Sequence, residues 1–389
     1  MQAPPALDAF EDLSLDVLRS RRSAKWVKYP ADVLPAWVAE MDFPLAPAIR
    51  EALGEALERD DTGYADRGRL PDAFAGFAAE RFGWQVDPAR VWLVADVMSG
   101  VAEVVRALTE PDDAVVVNPP VYPPFFSTVR EIGRRVVEAP LAARAGGWEL
   151  DLDTLERAFA GGARAYLLCH PHNPTGLSFT GAELAAIADL AARHDVLVVS
   201  DEIHAPMSMP GVSHVPFVAL GDQAADRAVT ISGATKAFNI AGLKCAVVVT
   251  GSQRMQDELT AKLPKHIPYH VGHFGVLASI AAFEDGGSWL DALVAQLDRN
   301  RHFLGELLSA ELPEIGYVLP QAGYLAWLDC RALELGDDPA ETFLERGRVA
   351  LSPGPTFGTG GLGHARLNFG TSSALLAEAV RRMAASVNR

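Results

Sequence analysis

The sequence predicts an α/β fold with three parts: a large domain on a mostly parallel sheet, a smaller α+β domain and an N-terminal arm. Between residues 91 and 250, short β-branched runs alternate with helical patterns, which is typical of a parallel sheet covered on both faces. After residue 280 a long helix and a separate strand follow, and prolines interrupt the first 45 residues. A chain of 389 residues also exceeds one typical core. We therefore expect an arm over 1–45 that joins the small domain, a large domain over 46–280 and a small domain over 281–389.

Individual elements follow from the spacing of the apolar residues. The predicted strands of the large domain are Val115–Val117, Ala165–Cys169, Val196–Ser200, Val229–Ser232 and Ala246–Thr250. Its predicted helices are Val101–Thr109 and Gly181–Arg193. In the small domain we predict a helix over Leu290–Leu308, a strand over Tyr324–Leu328 and a Gly/Pro-rich passage over Ser352–Gly363.

Polar residues follow three of these strands. Asn173 lies in the loop after one strand, Asp201 and His204 follow the next, and Thr235 and Lys236 follow a third. Ligands of open α/β sheets bind beyond the carboxyl ends of the strands. The three polar clusters are therefore predicted to converge on one site.

Composition and charge exclude several classes of protein. The formal net charge is −16 without a basic block, which disfavours nucleic acid and anionic membranes as partners. The longest apolar runs are strand-sized, and Met1–Arg22 lacks the pattern of a signal peptide, so we predict a cytoplasmic protein. The three cysteines have neither metal nor disulfide spacing, so no metal site is predicted and the thiols are expected to be buried.

One lysine stands out from the others. The chain contains six, Lys25, Lys28, Lys236, Lys244, Lys262 and Lys265. Schiff-base chemistry needs an amine that loses its proton near neutral pH, which a desolvated pocket allows. Lys25 and Lys28 lie in the polar arm and are expected in solvent, as are Lys262 and Lys265. Lys236 instead follows a predicted buried strand in a loop of small residues, which makes it the candidate reactive amine.

Four motifs resemble fold-type I pyridoxal-5′-phosphate (PLP) enzymes, the aspartate aminotransferase-like superfamily of class I and II. They are HNPTG (His172–Gly176), SDEIH (Ser200–His204), TKAFNIAGL (Thr235–Leu243) and RLNFG (Arg366–Gly370). Their order and spacing cover nearly the whole chain. A narrower resemblance, to the cystathionine β-lyase and cysteine-S-conjugate C–S lyase branch, rests on Lys25-Trp26 with Tyr29-Pro30, LPAWVAEMDF (Leu34–Phe43), Gly63-Tyr64, NPPVY (Asn118–Tyr122) and the His at 204.

The resemblance implies a role for each residue of the cofactor ring site. Lys236 would hold PLP and act as the catalytic base, and Asp201 would keep the ring nitrogen protonated. Asn173 matches the position that hydrogen-bonds the phenolic oxygen, and His204 lies nearby, with a structural histidine as the alternative. Tyr122 matches the aromatic side chain that stacks on the ring.

The resemblance also implies a phosphate site and a carboxylate site. The implied phosphate contacts are the backbone of Val97 and Met98, the side chains of Thr235 and Lys244, and Tyr64 of a neighbouring subunit in a homodimer. Asp96 departs from the family, which commonly has Gly there, and its carboxylate is unfavourable unless it points away and caps the helix. Arg366 matches the arginine that binds the substrate α-carboxylate, with Ala39 and Tyr122 beside it, and an inter-domain salt bridge is the alternative.

The reaction implied by the narrower resemblance is α,β-elimination. L-cystathionine or a related cysteine S-conjugate would give a thiol, pyruvate and ammonia. A PLP-dependent aminotransferase remains the alternative, because the same cofactor residues serve both reactions. A non-catalytic binding module is a third reading, which the intact Lys236, Asp201 and Arg366 disfavour. Which cysteine S-conjugate is the natural substrate stays open.

Overall fold

The computed structural model describes residues 8–144 and 146–387. The first seven residues, part of the segment assessed for a signal peptide, lie outside the described residues. The strands of the described chain are β1 (Leu34–Pro35), β2 (Val91–Val94), β3 (Ala114–Val117), β4 (Arg135–Glu138), β5 (Ala142–Arg144), β6 (Gly147–Glu149), β7 (Ala163–Cys169), β8 (Leu197–Asp201), β9 (Ala228–Ser232), β10 (Ala246–Thr250), β11 (Gly316–Tyr317), β12 (Leu325–Asp329), β13 (Val349–Ala350), β14 (Ser352–Pro353) and β15 (His364–Asn368).

Helices connect and cover these strands. They are α1 (Asp8–Glu11), α2 (Leu15–Arg19), α3 (Ala24–Val27), α4 (Pro47–Glu58), α5 (Leu70–Phe82), α6 (Val97–Leu108), α7 (Pro124–Glu131), α8 (Leu152–Ala160), α9 (Gly181–His194), α10 (Asp222–Ala225), α11 (Gln253–Lys262), α12 (His273–Asp285), α13 (Gly287–Glu311), α14 (Pro339–Glu345) and α15 (Ser373–Val387). Short 3-10 helices span Pro88–Arg90, Ala205–Met207, Phe217–Ala219, Ala241–Leu243, Ile267–His270, Arg331–Leu333 and Gly354–Phe357. Within the described ranges, no helix combines the length and the apolar character that crossing a membrane requires.

A seven-stranded sheet forms the centre of the molecule, in the order β2-β10-β9-β8-β7-β3-β4. Neighbours from β9 to β4 run parallel, whereas β10 is antiparallel to both β9 and β2. The α/β prediction with a mostly parallel sheet is therefore confirmed. β10 reverses because residues 233–245, which join it to β9, contain only a short 3-10 helix and no crossover helix.

Both faces of this sheet are covered. Alternate residues of one strand enter two separate apolar clusters: Val116 belongs to one, and Val115 and Val117 belong to the other. Burial on both faces explains why these strands are continuous apolar runs in the sequence. α6 approaches the sheet closely at Gly100, where an added Cβ would lie 3.1 Å from Val94. The absence of a side chain at Gly100 therefore lets α6 pack directly against the sheet.

A second, antiparallel sheet has the order β11-β12-β15-β14. The long helix α13 contains the predicted Leu290–Leu308 and extends beyond it at both ends. The arm contributes β1, which pairs in parallel with β13: Leu34 lies opposite Val349, and Pro35 opposite Ala350.

Lys25 corrects the expectation of a solvated arm lysine. Its side chain is only 1% exposed, and its Nζ donates to Asp42 Oδ1 at 2.8 Å and to the Glu40 carbonyl at 3.0 Å. The indole of Trp26 also donates to Asp42 Oδ1, at 3.2 Å. A buried ammonium is tolerated here because a carboxylate and a carbonyl replace its water. Lys28, Lys262 and Lys265 are exposed as expected.

Candidate active site

Three neighbouring parallel strands bring the predicted polar clusters to one edge of the large sheet. In the sheet register Cys169 of β7 lies opposite Asp201 of β8, which in turn lies opposite Ile231 of β9. Asn173 and Lys236 follow β7 and β9 by four residues each. Asn173, Asp201 and Lys236 therefore share the carboxyl-terminal edge, where ligands of such sheets bind.

Lys236 has the environment of a reactive amine. Its Nζ donates to the Ala39 carbonyl oxygen at 2.9 Å. Burial lowers the pKa of Lys236 to about 8, and the positive charge of Arg366 acts in the same direction, while Asp201 opposes both. A neutral amine is consequently accessible near physiological pH, which attack on a carbonyl carbon requires.

Asp201 ends β8 with a buried side chain whose charge interacts with that of Lys236. Its Oδ1 accepts a hydrogen bond from the Ile203 N–H at 3.1 Å. Burial raises the pKa of Asp201 to about 7, and the Ile203 hydrogen bond and the charge of Lys236 oppose that rise. A positively charged group placed beside the carboxyl would favour its ionised form.

Arg366 provides a buried positive charge. Its Nη1 donates to Asn173 Oδ1 at 2.9 Å, and its Nη2 donates to the Trp37 carbonyl at 3.1 Å and to Ser352 Oγ at 3.0 Å. The guanidinium lies 5.1 Å from the Phe357 ring centroid. These partners are all neutral. Arg366 therefore forms no salt bridge within the described part of the chain, and the alternative of an inter-domain salt bridge is wrong. Burial lowers the pKa of Arg366 to about 10, and the side chain remains charged at neutral pH.

The N-terminus of α6 lies at the same site. Val97 and Met98 are its first two residues, so their N–H groups lack partners within the helix. Asp96 is the N-cap, and its Oδ1 accepts from Ser99 N at 2.8 Å and from Ser99 Oγ at 2.9 Å. Because Asp96 caps the helix, α6 begins four residues before the predicted Val101.

Lys244 is held by Asp96. Its Nζ lies 2.9 Å from Asp96 Oδ2, and both side chains are partly exposed. Thr235, whose side chain is also predicted to contact the phosphate, is buried and directly precedes Lys236. Asp96 thus uses one oxygen for the helix cap and the other for Lys244.

Two further predicted residues line the same site. Tyr122 is partly buried, and burial raises its pKa. The charge of Arg366 opposes this rise, and the charge of Asp201 adds to it. His204 is buried, its Nδ1 has no hydrogen-bond partner among the described residues, and burial lowers its pKa to about 3, so the ring is neutral. Tyr64 is not brought to the site within this chain, because it is 93% exposed on the surface.

Several contacts of the site were not predicted. Tyr324 donates its hydroxyl to the Ala39 carbonyl at 2.9 Å, the same oxygen that accepts from Lys236. Ser352 lies opposite Arg366 in the β14–β15 pairing. Trp37 has a buried indole N–H without a partner in the structure. No local sequence signal marks these residues, since each depends on a strand pairing or a loop contact far along the chain.

Glu202, the second acidic residue of the SDEIH motif, has a structural environment. Its buried carboxylate accepts hydrogen bonds from Ser200 Oγ at 2.8 Å, the Phe217 N–H at 2.9 Å and Thr230 Oγ at 3.0 Å. The ring Nε2 of His214 lies 2.9 Å from its other oxygen. These four partners hold Glu202, which directly follows Asp201, and they thereby anchor the end of β8. Among the described residues no group of three or more His, Cys, Asp or Glu side chains is arranged to hold a metal ion.

Comparisons with known proteins assign the chain to one family. Residues 38–383 match the family described as aminotransferase class I and II, so the chain belongs to that family. A candidate cystathionine beta-lyase of Mycobacterium tuberculosis is 45% identical over 97% of this chain and 98% of its own length. Cystathionine beta-lyase PatB of Bacillus subtilis is 37% identical over 94% of this chain and 97% of its own. The crystal structure of a candidate PLP-dependent beta-cystathionase of Corynebacterium diphtheriae superimposes with a TM-score of 0.92 at 36% identity, covering 97% of this chain and 98% of that one.

Proposed function

We propose that the protein is a PLP-dependent carbon–sulfur β-lyase that cleaves L-cystathionine or a related cysteine S-conjugate to a thiol, pyruvate and ammonia. The observation that supports it best is the joint placement of Lys236, Asp201 and Arg366 in one buried site. This site occurs in a chain that aligns over nearly its full length with proteins named cystathionine beta-lyase. The names of these relatives favour elimination over the alternative, transamination.

The residues of the site fit PLP. Asp201 would face the ring nitrogen, because its buried carboxyl gains from a positive neighbour. Asn173 and His204 would lie near the phenolic oxygen. The buried Nδ1 of His204 has no hydrogen-bond partner among the described residues, which fits a site that receives a polar ligand. Tyr122 would cover the ring. When bound, PLP supplies an electron sink for the negative charge that develops at the substrate Cα.

The phosphate end would use the start of α6. The N–H groups of Val97 and Met98, which lack partners within the helix, and the positive end of the helix dipole favour an anion. Thr235 and Lys244 would add side-chain contacts.

Arg366 would bind the substrate carboxylate. Its Nε is buried without a partner in the structure, and its other contacts leave the positive charge uncompensated. A carboxylate supplies two oxygens in the plane that a guanidinium prefers. This contact would hold the substrate with its Cα toward Lys236, and Ala39 and Tyr122 would border the same space.

Lys236 would then transfer the protons. As a neutral amine it takes the proton from the substrate Cα, for which a pKa of about 8 suits general-base catalysis near neutral pH. In its protonated form it can return a proton to the sulfur atom that leaves. The hydrogen bond to the Ala39 carbonyl keeps the amine within the site when it is not bonded to the cofactor.

Three further proposals concern the whole molecule. Tyr64, which is exposed here, would reach the phosphate of a second copy in a homodimer. The separate antiparallel sheet and the pairing of β1 with β13 support the division into an arm over 1–45 and domains over 46–280 and 281–389. The cytoplasmic location stays a prediction.

The function is tested with PLP-loaded protein, L-cystathionine and no 2-oxo acid. We expect pyruvate and free thiol in equal amounts over many turnovers, and neither product from Lys236→Ala. If no pyruvate forms while the cofactor converts to its amine form, and a 2-oxo acid restores it, the protein is an aminotransferase and the proposal is wrong. A Glu103→Gln variant, altered on the exposed side of α6, serves as a folded positive control.

A further inference from the structure

We propose that Asp96 weakens the binding of the cofactor phosphate in this protein, because it pairs with the lysine that the phosphate would otherwise use. The inference rests on the proposed PLP site and concerns its phosphate end. Among the residues proposed to contact the phosphate, namely Tyr64, Val97, Met98, Thr235 and Lys244, only Lys244 carries a positive charge.

Contacts of both Asp96 oxygens support this assignment. Oδ2 lies 2.9 Å from Lys244 Nζ, while Oδ1 accepts from the amide and the hydroxyl of Ser99. The carboxylate therefore cannot turn away from Lys244 without also giving up its cap geometry. These hydrogen bonds, together with the charge of Lys244, outweigh burial and hold the pKa of Asp96 below its usual value. The residue is consequently ionised at neutral pH.

The pair belongs to the active site rather than to the distant surface. After burial and Arg366, Lys244 is one of the positive groups that lower the pKa of Lys236. The charge of Asp96 in turn helps burial to raise the pKa of Tyr122. Both charges therefore act on residues that would surround the cofactor.

The electrostatic consequence follows from charge counting. A phosphate monoester carries about 1.5 to 2 negative charges at neutral pH. It would meet Lys244 and Asp96 as a pair whose two charges sum to zero, instead of the single positive charge that Lys244 alone would supply. The helix dipole and the free N–H groups still favour the anion, so Asp96 reduces phosphate affinity without abolishing it. Cofactor that is not covalently bound to Lys236 therefore binds with lower affinity than it would without the charge of Asp96.

The experiment compares pyridoxamine 5′-phosphate with pyridoxamine, which lacks the phosphate. Neither has an aldehyde, so both bind the full-length chain without a covalent bond to Lys236. Dissociation constants are measured for the wild type, Asp96→Asn, Asp96→Ser and the control Glu103→Gln. Asn and Ser are both good N-caps, so α6 keeps its start while the charge is lost. Glu103→Gln removes one negative charge from the same helix outside the site.

We expect the ratio of the two dissociation constants, pyridoxamine over its phosphate, to rise about tenfold in Asp96→Asn and Asp96→Ser, the order expected for one unit charge at a partly exposed site. Glu103→Gln should leave the ratio unchanged. A rise below about threefold, no change or a fall in either folded Asp96 variant overturns the inference. Should Asp96→Asn fail to fold, Asp96→Ser decides. If the wild type and all variants bind neither compound, the proposed PLP site itself is wrong, a result distinct from an unchanged ratio.

Discussion

The buried Lys25–Asp42 pair allows a quantitative test of how the arm is held. In Lys25→Met the aliphatic stem of the side chain is kept, but the ammonium that compensates Asp42 is lost. Among the described residues, Asp42 would retain only the Trp26 indole at 3.2 Å as a side-chain donor. Removing one partner of a buried pair costs about 3–5 kcal/mol. With an unfolding entropy of about 2.1 cal/mol/K per residue over 389 residues, this corresponds to a fall in Tm of about 4–6 °C.

Calorimetry on PLP-loaded protein measures this change. Arg59→Met is the matched control, because it breaks the exposed Arg59–Glu55 pair, where loss of the contact costs at most about 1 kcal/mol. The double variant Lys25→Met/Asp42→Leu removes both charges, so it should be more stable than Lys25→Met alone. A Tm for Lys25→Met equal to that of Arg59→Met would refute the reasoning. So would a double variant whose loss in stability equals the sum of the losses measured for Lys25→Met and for Asp42→Leu alone.

Two further predictions concern the site. Covalent capture of PLP by Lys236 should speed up as the pH rises through about 8, because only the neutral amine attacks the aldehyde and the pKa of Lys236 in the folded protein is about 8. Stopped-flow absorbance measures the capture rate. A midpoint of the rate–pH curve near 10.5 would contradict the burial of the amine. Arg366→Lys should lower kcat/KM for L-cystathionine about 10- to 100-fold, since a charge-assisted, two-oxygen contact is lost. The absorbance of bound PLP should stay unchanged in that variant, and an undiminished kcat/KM would show that Arg366 does not bind the substrate.

The sequence alone predicts those parts of the fold that depend on local patterns. The predicted strand Ala246–Thr250 matches β10 residue for residue, because a strand buried on both faces is a short continuous apolar run. Asp201 and Lys236 could be located for a related reason. Asp201 is the last residue of one such strand and Lys236 lies four residues after another, and parallel strands present these ends at one edge. The direction of β10 was not predictable from its own residues, since it depends on the connection that precedes it.

Other features depend on long-range contacts. In the sequence Lys25 resembles a solvated arm lysine, and its burial is explained by its contacts with the Asp42 carboxylate and the Glu40 carbonyl. The Trp37 carbonyl and Ser352 Oγ contact Arg366 from positions 329 and 14 residues away in the chain. The sequence left open whether the Asp96 carboxylate lies beside the phosphate site or points away and caps the helix. In the structure it caps α6 with one oxygen and contacts Lys244 with the other.

The carbonyl oxygen of Ala39 has a consequence for how the enzyme matures. It accepts hydrogen bonds from Lys236, 197 residues further along the chain, and from Tyr324, 285 residues further along. The arm, the large sheet and the second sheet must therefore all be assembled before the amine reaches its final position. A newly made chain cannot present a correctly held Lys236 while any of these parts is unfolded. Uptake of PLP with the native absorbance would thus report completed folding, and it would distinguish mature molecules from partly assembled ones during synthesis.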